Sequence, residues 1–165
     1  MADGKGLTDR ELRTWRTFLG VATVLNHRIE QQLKDTAGLS HPQYEVLARL
    51  SNAPDGELRM TELAGVALTS KSGLSYQITQ LEKAGLVQRR PCDNDDRGII
   101  AALTEAGWSK LRETAPAHVN LVRSTFVTPL TPDQFTHLTA ALDTLGAHLG
   151  ITPQTITALR EPPPT

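Results

Sequence analysis

Cysteine is almost absent from this chain: Cys92 is the single thiol in 165 residues. No intrachain disulfide can form, which suits a reducing compartment. Aromatic residues are scarce too, at 4%, so the core must be aliphatic. No apolar run approaches the about 18 residues of a membrane span. The opening MADGKGLTDRELR has no apolar stretch and is no signal peptide. The expected location is the cytoplasm. The net charge is −1, so any affinity for nucleic acid must come from local positive charge.

Catalytic signatures are missing as well. There is no G-x-S-x-G, H-E-x-x-H, phosphate-binding glycine loop or C-x-x-C. Asp95-Asp96 lies in a polar loop, a poor place for acid–base work, and an enzyme is not expected. His27, His41, His118, His137 and His148 form no pair at H-x-x-x-H spacing, so no metal or cofactor is expected. His27, His41 and His118 are the three that could converge in space. Cys92 has Arg89 and Arg90 close by, which favours a thiolate, but reactivity also needs exposure. A structural cysteine is the simpler reading.

Two further absences are regional. No Lys or Arg occurs between Arg123 and Arg160, so that stretch is unsuited to phosphate. No Asp or Glu occurs between Glu62 and Glu82. The second gap matters most and is taken up below.

What is present is helical periodicity. Thr8-Asp9-Arg10-Glu11 reads as a capping box. Leu12, Trp15, Leu19, Ala22, Leu25, Ile29 and Leu33 then follow at threes and fours, predicting a helix over about 9–36 that ends at Gly38. After Thr104, the residues Trp108, Leu111, Ala115, Val119, Val122 and Phe126 predict a second long helix, kinked at Pro116 and closed by Pro129. Thr131-Pro132-Asp133-Gln134 starts a third, carrying Phe135, Leu138, Leu142, Leu145 and Leu149. These stripes are longer than a small core can cover. Packing against a second copy of the chain is the simple remedy, with packing inside one chain as the alternative.

The middle is built from shorter pieces. Ser40-His41-Pro42-Gln43 caps a helix with Tyr44, Leu47 and Leu50, and Asn52 to Gly56 is a turn. Leu58 to Met60 predicts a brief strand and Thr61 caps a helix to about Leu68. Residues 69–84 form another helix ended by Gly85. Leu86–Cys92 and Ile99–Leu103 predict two strands around a polar loop, Asp93 to Gly98. The expected fold class is mainly α with a small β-wing: a winged helix-turn-helix over 38–104, an N-terminal dimerisation helix over 1–37, C-terminal dimerisation helices over 105–150, and a short helical or disordered tail over 151–165.

The chemistry concentrates on the 69–84 helix. Leu74, Ile78 and Leu81 hold it to the core. Its other side presents Ser70, Lys71, Ser72, Ser75, Tyr76, Gln77, Thr79 and Gln80, within the carboxylate-free gap. Neutral hydrogen-bonding groups plus one lysine suit base edges and phosphates. Gln pairs with adenine's edge, and Lys71 and the helix N-terminus can meet phosphate. An ordinary polar surface helix is the bland alternative. Arg97 near the ribbon tip can enter the negative minor groove. Asp95, two residues earlier, lies on the same side of an extended chain and can orient the guanidinium; otherwise the pair is a surface salt bridge without function.

The runs SKSGLSYQITQLEKAGLVQRR and DNDDRGIIAALTEAG, with Asp95-x-Arg97, Leu103-Thr104 and Gly107, resemble the MarR family of bacterial regulators over about residues 8–150. The resemblance implies a winged-helix homodimer with intertwined first and last helices. It implies a recognition helix in the major groove of double-stranded DNA and a wing arginine in the minor groove. It also implies control by a small ligand or by oxidation. Many relatives carry arginine where this chain has Tyr76, so Tyr76 is expected to give a hydroxyl contact or stack on a sugar. The sensing cysteine of some relatives lies in the first helix, which has none here. The ligand pocket of the family lies between the dimerisation helices and the winged domain. By position, Trp15, Phe18, His41, Tyr44 and Trp108 are the candidates to line it, suiting a small aromatic or phenolic ligand; for each taken singly, a core residue is the simpler reading. The expected function is a repressor that binds a pseudo-palindromic operator and is released by such a ligand. The alternative is a winged-helix protein–protein adaptor without DNA binding.

Overall fold

The computed structural model describes residues 6–66, 71–92 and 95–151. For residues 66, 71 and 95–97 it describes the backbone alone.

Helix α1 runs Asp9–Ala37. The Glu11 N–H donates to the Thr8 hydroxyl and the Thr8 N–H donates to the Glu11 carboxylate at 2.7 Å, so two otherwise orphaned donors are satisfied. Gly38, at φ +67°, ends the helix in the left-handed region. Along the expected stripe Ile29 is half-buried and Leu33 fully buried, whereas Trp15 and Leu19 remain open. The helix thus docks by its C-terminal half and projects its N-terminal half beyond the core.

Helix α2, His41–Ser51, carries a second capping box, Ser40 with Gln43. It is enclosed on nearly every side, and Arg49 is buried with it at 1% exposure. Desolvation draws the Arg49 pKa down, with the Glu45 carboxylate opposing. A tight turn, Pro54–Gly56, leads to β1, Glu57–Arg59. Helix α3, Met60–Val66, follows without a break.

Here the expectation of a Thr61 cap is corrected. The strand ends at Arg59 and the helix begins at once, so Thr61 lies inside it. The Arg59 N–H donates to the Glu62 carboxylate at 3.1 Å, the half of a capping box in which the third helical residue reaches back to the residue before the helix. The expected strand, Leu58 to Met60, is displaced one residue for the same reason.

Helix α4 spans Lys71–Lys83 and Gly85, at φ +72°, turns the chain into β2, Val87–Cys92. Strand β3, Asp95–Leu103, returns antiparallel and is central in the order β1-β3-β2. The hairpin differs from the predicted polar loop over 93–98. Pro91 pairs with Ile99 but Cys92 pairs with Asp95, so the ladder resumes after a register shift that leaves 96–98 without partners on β2. Asp93 and Asn94 lie outside the described residues, and Asp95–Gly98 belongs to a bulged ribbon rather than an open loop.

Helix α5, Glu105–Val122, contains Pro116 without ending there. Residues Arg123–Val127 continue it as one wider π turn, the Thr128 N–H reaching the Arg123 carbonyl at 2.8 Å, before Pro129. Helix α6, Pro132–His148, opens on the Thr131–Gln134 capping box and buries no residue within the chain. The predicted tail lies outside the described residues from position 152 onward. The core gathers Leu33, Leu47, Leu50, Leu63, Leu74, Ile78, Leu81, Val87, Ala101 and Leu111 from α1 to α5 and the sheet. Each such Leu, Ile or Val side chain contributes about 1.5–3 kcal/mol by leaving water. No helix among the described residues is long and apolar enough to cross a membrane.

Candidate nucleic-acid interface

Helix α4 is fastened by one face and open on the other. Leu74, Ile78 and Leu81 are buried. Ser72, Ser75 and Tyr76 are exposed, and Gln77, Thr79 and Gln80 are half-buried. Tyr76, at 61% exposure, projects from the middle of this face. Lys71 opens the helix. Ser70 lies outside the described residues.

The exit of α4 is tied to the base of the wing, where β3 ends. The Thr104 hydroxyl donates to the Gly85 carbonyl at 2.7 Å and accepts from the Gly107 N–H at 3.0 Å. The Thr104 N–H donates to the Leu86 carbonyl at 3.1 Å. Leu103-Thr104 and Gly107 therefore join α4, the hairpin and α5 at one point. Asp95 and Arg97 lie two apart on the β3 backbone at the distal end of this ribbon.

Sequence reasoning missed the two ion pairs at the base of the wing. Arg89 Nη1 donates to Glu82 Oε2 at 2.8 Å, and Arg90 Nη2 donates to Glu57 Oε1 at 2.6 Å. The signal was there: adjacent strand residues face opposite ways, so two consecutive arginines must serve two different surfaces. Both guanidiniums are thus engaged with carboxylates rather than set aside for the half-buried Cys92.

The pocket candidates do not form one cluster within the chain. Tyr44 is buried, its ring centroid 4.6 Å from that of His118. His118 Nδ1 lies 3.3 Å from Gln32 Oε1, so α1, α2 and α5 meet there. His41 begins α2 with its N–H donating to Glu30 Oε2 at 2.7 Å, and its Nε2 is 3.8 Å from Glu45 Oε1. Trp15 and Phe18 stack 6.2 Å apart on the open half of α1. Trp108 packs on Gly56, where an added Cβ would come within 2.6 Å of the indole. Among the described residues no group of three or more His, Cys, Asp or Glu could hold a metal ion.

Burial, and secondarily the nearby His41, lowers the His118 pKa. The folded state therefore favours neutral imidazole, while the unfolded chain takes up a proton near the ordinary value of about 6.5. Stability from this site is complete above that value and is lost as pH falls below it. Lowering pH from about 7 to about 5 is expected to depress the melting temperature, and His118→Gln to flatten that dependence. Parallel pH profiles for the two proteins would contradict this assignment.

A helix-turn-helix whose last helix is polar outward and is followed by an antiparallel hairpin is a winged helix-turn-helix. The MarR family model matches residues 39–99. AbsC of Streptomyces coelicolor, a MarR family transcriptional regulator, is 42% identical, with 90% of this chain and 99% of that one covered at a TM-score of 0.85. Sco3205 of the same organism, a MarR family regulator solved in complex with DNA, is 38% identical, with 90% and 93% covered at a TM-score of 0.86. YetL of Bacillus subtilis, an HTH-type transcriptional repressor, is 28% identical over 111 residues, 67% of this chain and 66% of YetL. The chain belongs to the MarR family of transcriptional regulators.

Proposed function

We propose that this regulator is a cytoplasmic repressor that grips a pseudo-palindromic operator as a homodimer and releases it when a small aromatic ligand binds. The observation that carries the reading is the outer face of α4 over residues 71–80, which holds no carboxylate and is presented beside a wing that carries Asp95 and Arg97. Ser72, Ser75, Tyr76, Gln77 and Gln80 meet base edges and sugars, Lys71 and Ser70 meet phosphate near the helix start, and Arg97, steadied by Asp95, enters the minor groove. Sco3205, solved on DNA, supports this use of the fold, and YetL, a repressor by name, supports its direction.

Residues 1–37 and 105–150 form the dimer, flanking a DNA-binding unit over 38–104. The support is the apolar surface left open on α1, on α6 and at its C-cap, including Trp15, Phe18, Val24, Leu142, Leu145 and Leu149. The ligand enters where the long helices meet the winged unit, beside Tyr44 and His41, with Trp15, Phe18 and Trp108 completing the pocket in the dimer. A protein–protein adaptor would present apolar anchors on α4, whereas that face is polar around a single tyrosine.

Lys71→Ala tests the DNA reading. Each phosphate contact contributes about 0.9 to the slope of log affinity against log salt, so a dimer losing two contacts should show a slope shallower by about two. A slope equal to wild type would remove Lys71 from the interface.

A further inference from the structure

The recognition helix and the wing are joined by more than the turn between them. Arg89, on β2, sends its guanidinium back over that turn. Nη1 donates to Glu82 Oε2 at 2.8 Å, while Nη2 donates to the Thr79 hydroxyl at 3.0 Å and the Ser75 carbonyl at 3.2 Å. The Arg89 N–H adds a bond to Glu82 Oε1 at 3.2 Å. Ser75, Thr79 and Glu82 stand at i, i+4 and i+7, so they share one stripe along α4. A single fork therefore holds about two turns of the helix at three points. Its other end is anchored, because Arg89 pairs in the sheet with Ala101, which is fully buried.

We propose that Arg89 is a positioning residue whose clamp on Ser75, Thr79 and Glu82 fixes the recognition helix relative to the wing, so that one rigid unit addresses a major groove and the adjacent minor groove together. This rests on the DNA-binding reading above. Three features favour a clamp over a phosphate contact. The Arg89 side chain is only 26% exposed. Its charge is met by Glu82, an acid that would otherwise repel the DNA backbone from the end of the reading helix. Its donors are spent on groups that need a planar fork, which the point charge of lysine cannot span. An ion pair this close to solvent adds little to stability. Its effect falls on geometry, where a site must be held within about 0.5 Å of its working arrangement.

The consequence is a loss of discrimination rather than of attraction. In the test, Arg89→Lys, Glu82→Gln and the double variant are titrated with two duplexes at one ionic strength: the duplex that wild type selects from a random pool, and a scrambled one of equal length. Binding of the selected duplex by wild type is the control that separates failure of the DNA-binding reading from failure of the clamp. Each single variant should lose about tenfold in the ratio of selected to scrambled affinity, a change of ~1.4 kcal/mol. Affinity for the scrambled duplex and its salt slope should be unchanged for Arg89→Lys and should not fall for Glu82→Gln. The double variant should lose no more than either single one, because all three break the same unit. The proposal is overturned if Arg89→Lys keeps the wild-type ratio, or if affinity falls equally on both duplexes. It is also overturned if both single variants lose their fold, since the tie would then be merely structural.

Discussion

Arg97→Ala is expected to lower affinity for the selected operator about 100-fold while leaving the melting temperature within experimental error. A well-placed arginine in a groove is worth about 1–3 kcal/mol, and every 1.4 kcal/mol is tenfold. A homodimer carries the residue twice. Stability is spared because the Arg97 backbone falls within the stretch 96–98 that has no partner on β2. Titration of labelled duplex together with a thermal melt checks both halves. Unchanged affinity would exclude the wing from DNA contact, and a large drop in melting temperature would show that the arginine braces the hairpin instead.

Gly107→Ala is expected to do the reverse, harming the fold before it harms binding. A Cβ at Gly107 would stand 2.2 Å from the Leu86 carbonyl oxygen and 3.0 Å from Leu103 Cδ2. The oxygen is backbone, and it already accepts the Thr104 N–H, so it cannot swing aside. Overpacking of this kind costs about 1–3 kcal/mol, here toward the upper end because backbone must move. For a chain of this size that lowers the melting temperature by about 10 °C. The displaced point is the junction of α4, the hairpin and α5, so operator affinity should fall with it. Gly65→Ala is the control: nothing lies within 4 Å of its Cβ, and helix propensity favours alanine. A Gly107→Ala melting temperature equal to wild type would contradict the account of the junction.

The parts of this fold that were legible in sequence are those decided by neighbours along the chain. Thr8 with Glu11, Ser40 with Gln43 and Thr131 with Gln134 each fix a helix start within four residues, and all three capping boxes are present. The i, i+4, i+7 set of Leu74, Ile78 and Leu81 likewise placed the buried side of α4. Reading failed where two local rules competed. Thr61 is a good cap by composition, but β1 runs directly into α3 and Glu62 supplies the acceptor. Asp93 to Gly98 has the composition of a loop, yet a register shift lets pairing resume at Asp95.

What distance along the chain hides was legible at most as a hint, without its partners. The Arg89 fork reaches back to Ser75 and Thr79, and Tyr44 meets His118 only after α1, α2 and α5 have closed. Arg49 follows the same logic: α2 is so enclosed that even its guanidinium is covered. The residues proposed for a ligand pocket divide along this line: His41 and Tyr44 lie in the first turn of α2, whereas Trp15 and Phe18 stay exposed on α1.

Selection of bound sequences from random duplex DNA at low ionic strength is the most direct measurement. Two copies of α4 related by a twofold axis should enrich an inverted repeat with half-site centres about 34 Å, one helical turn, apart. A pool that stays unenriched, or that yields a single half-site without its inverted copy, would contradict the reading of this chain as a dimeric operator-binding regulator.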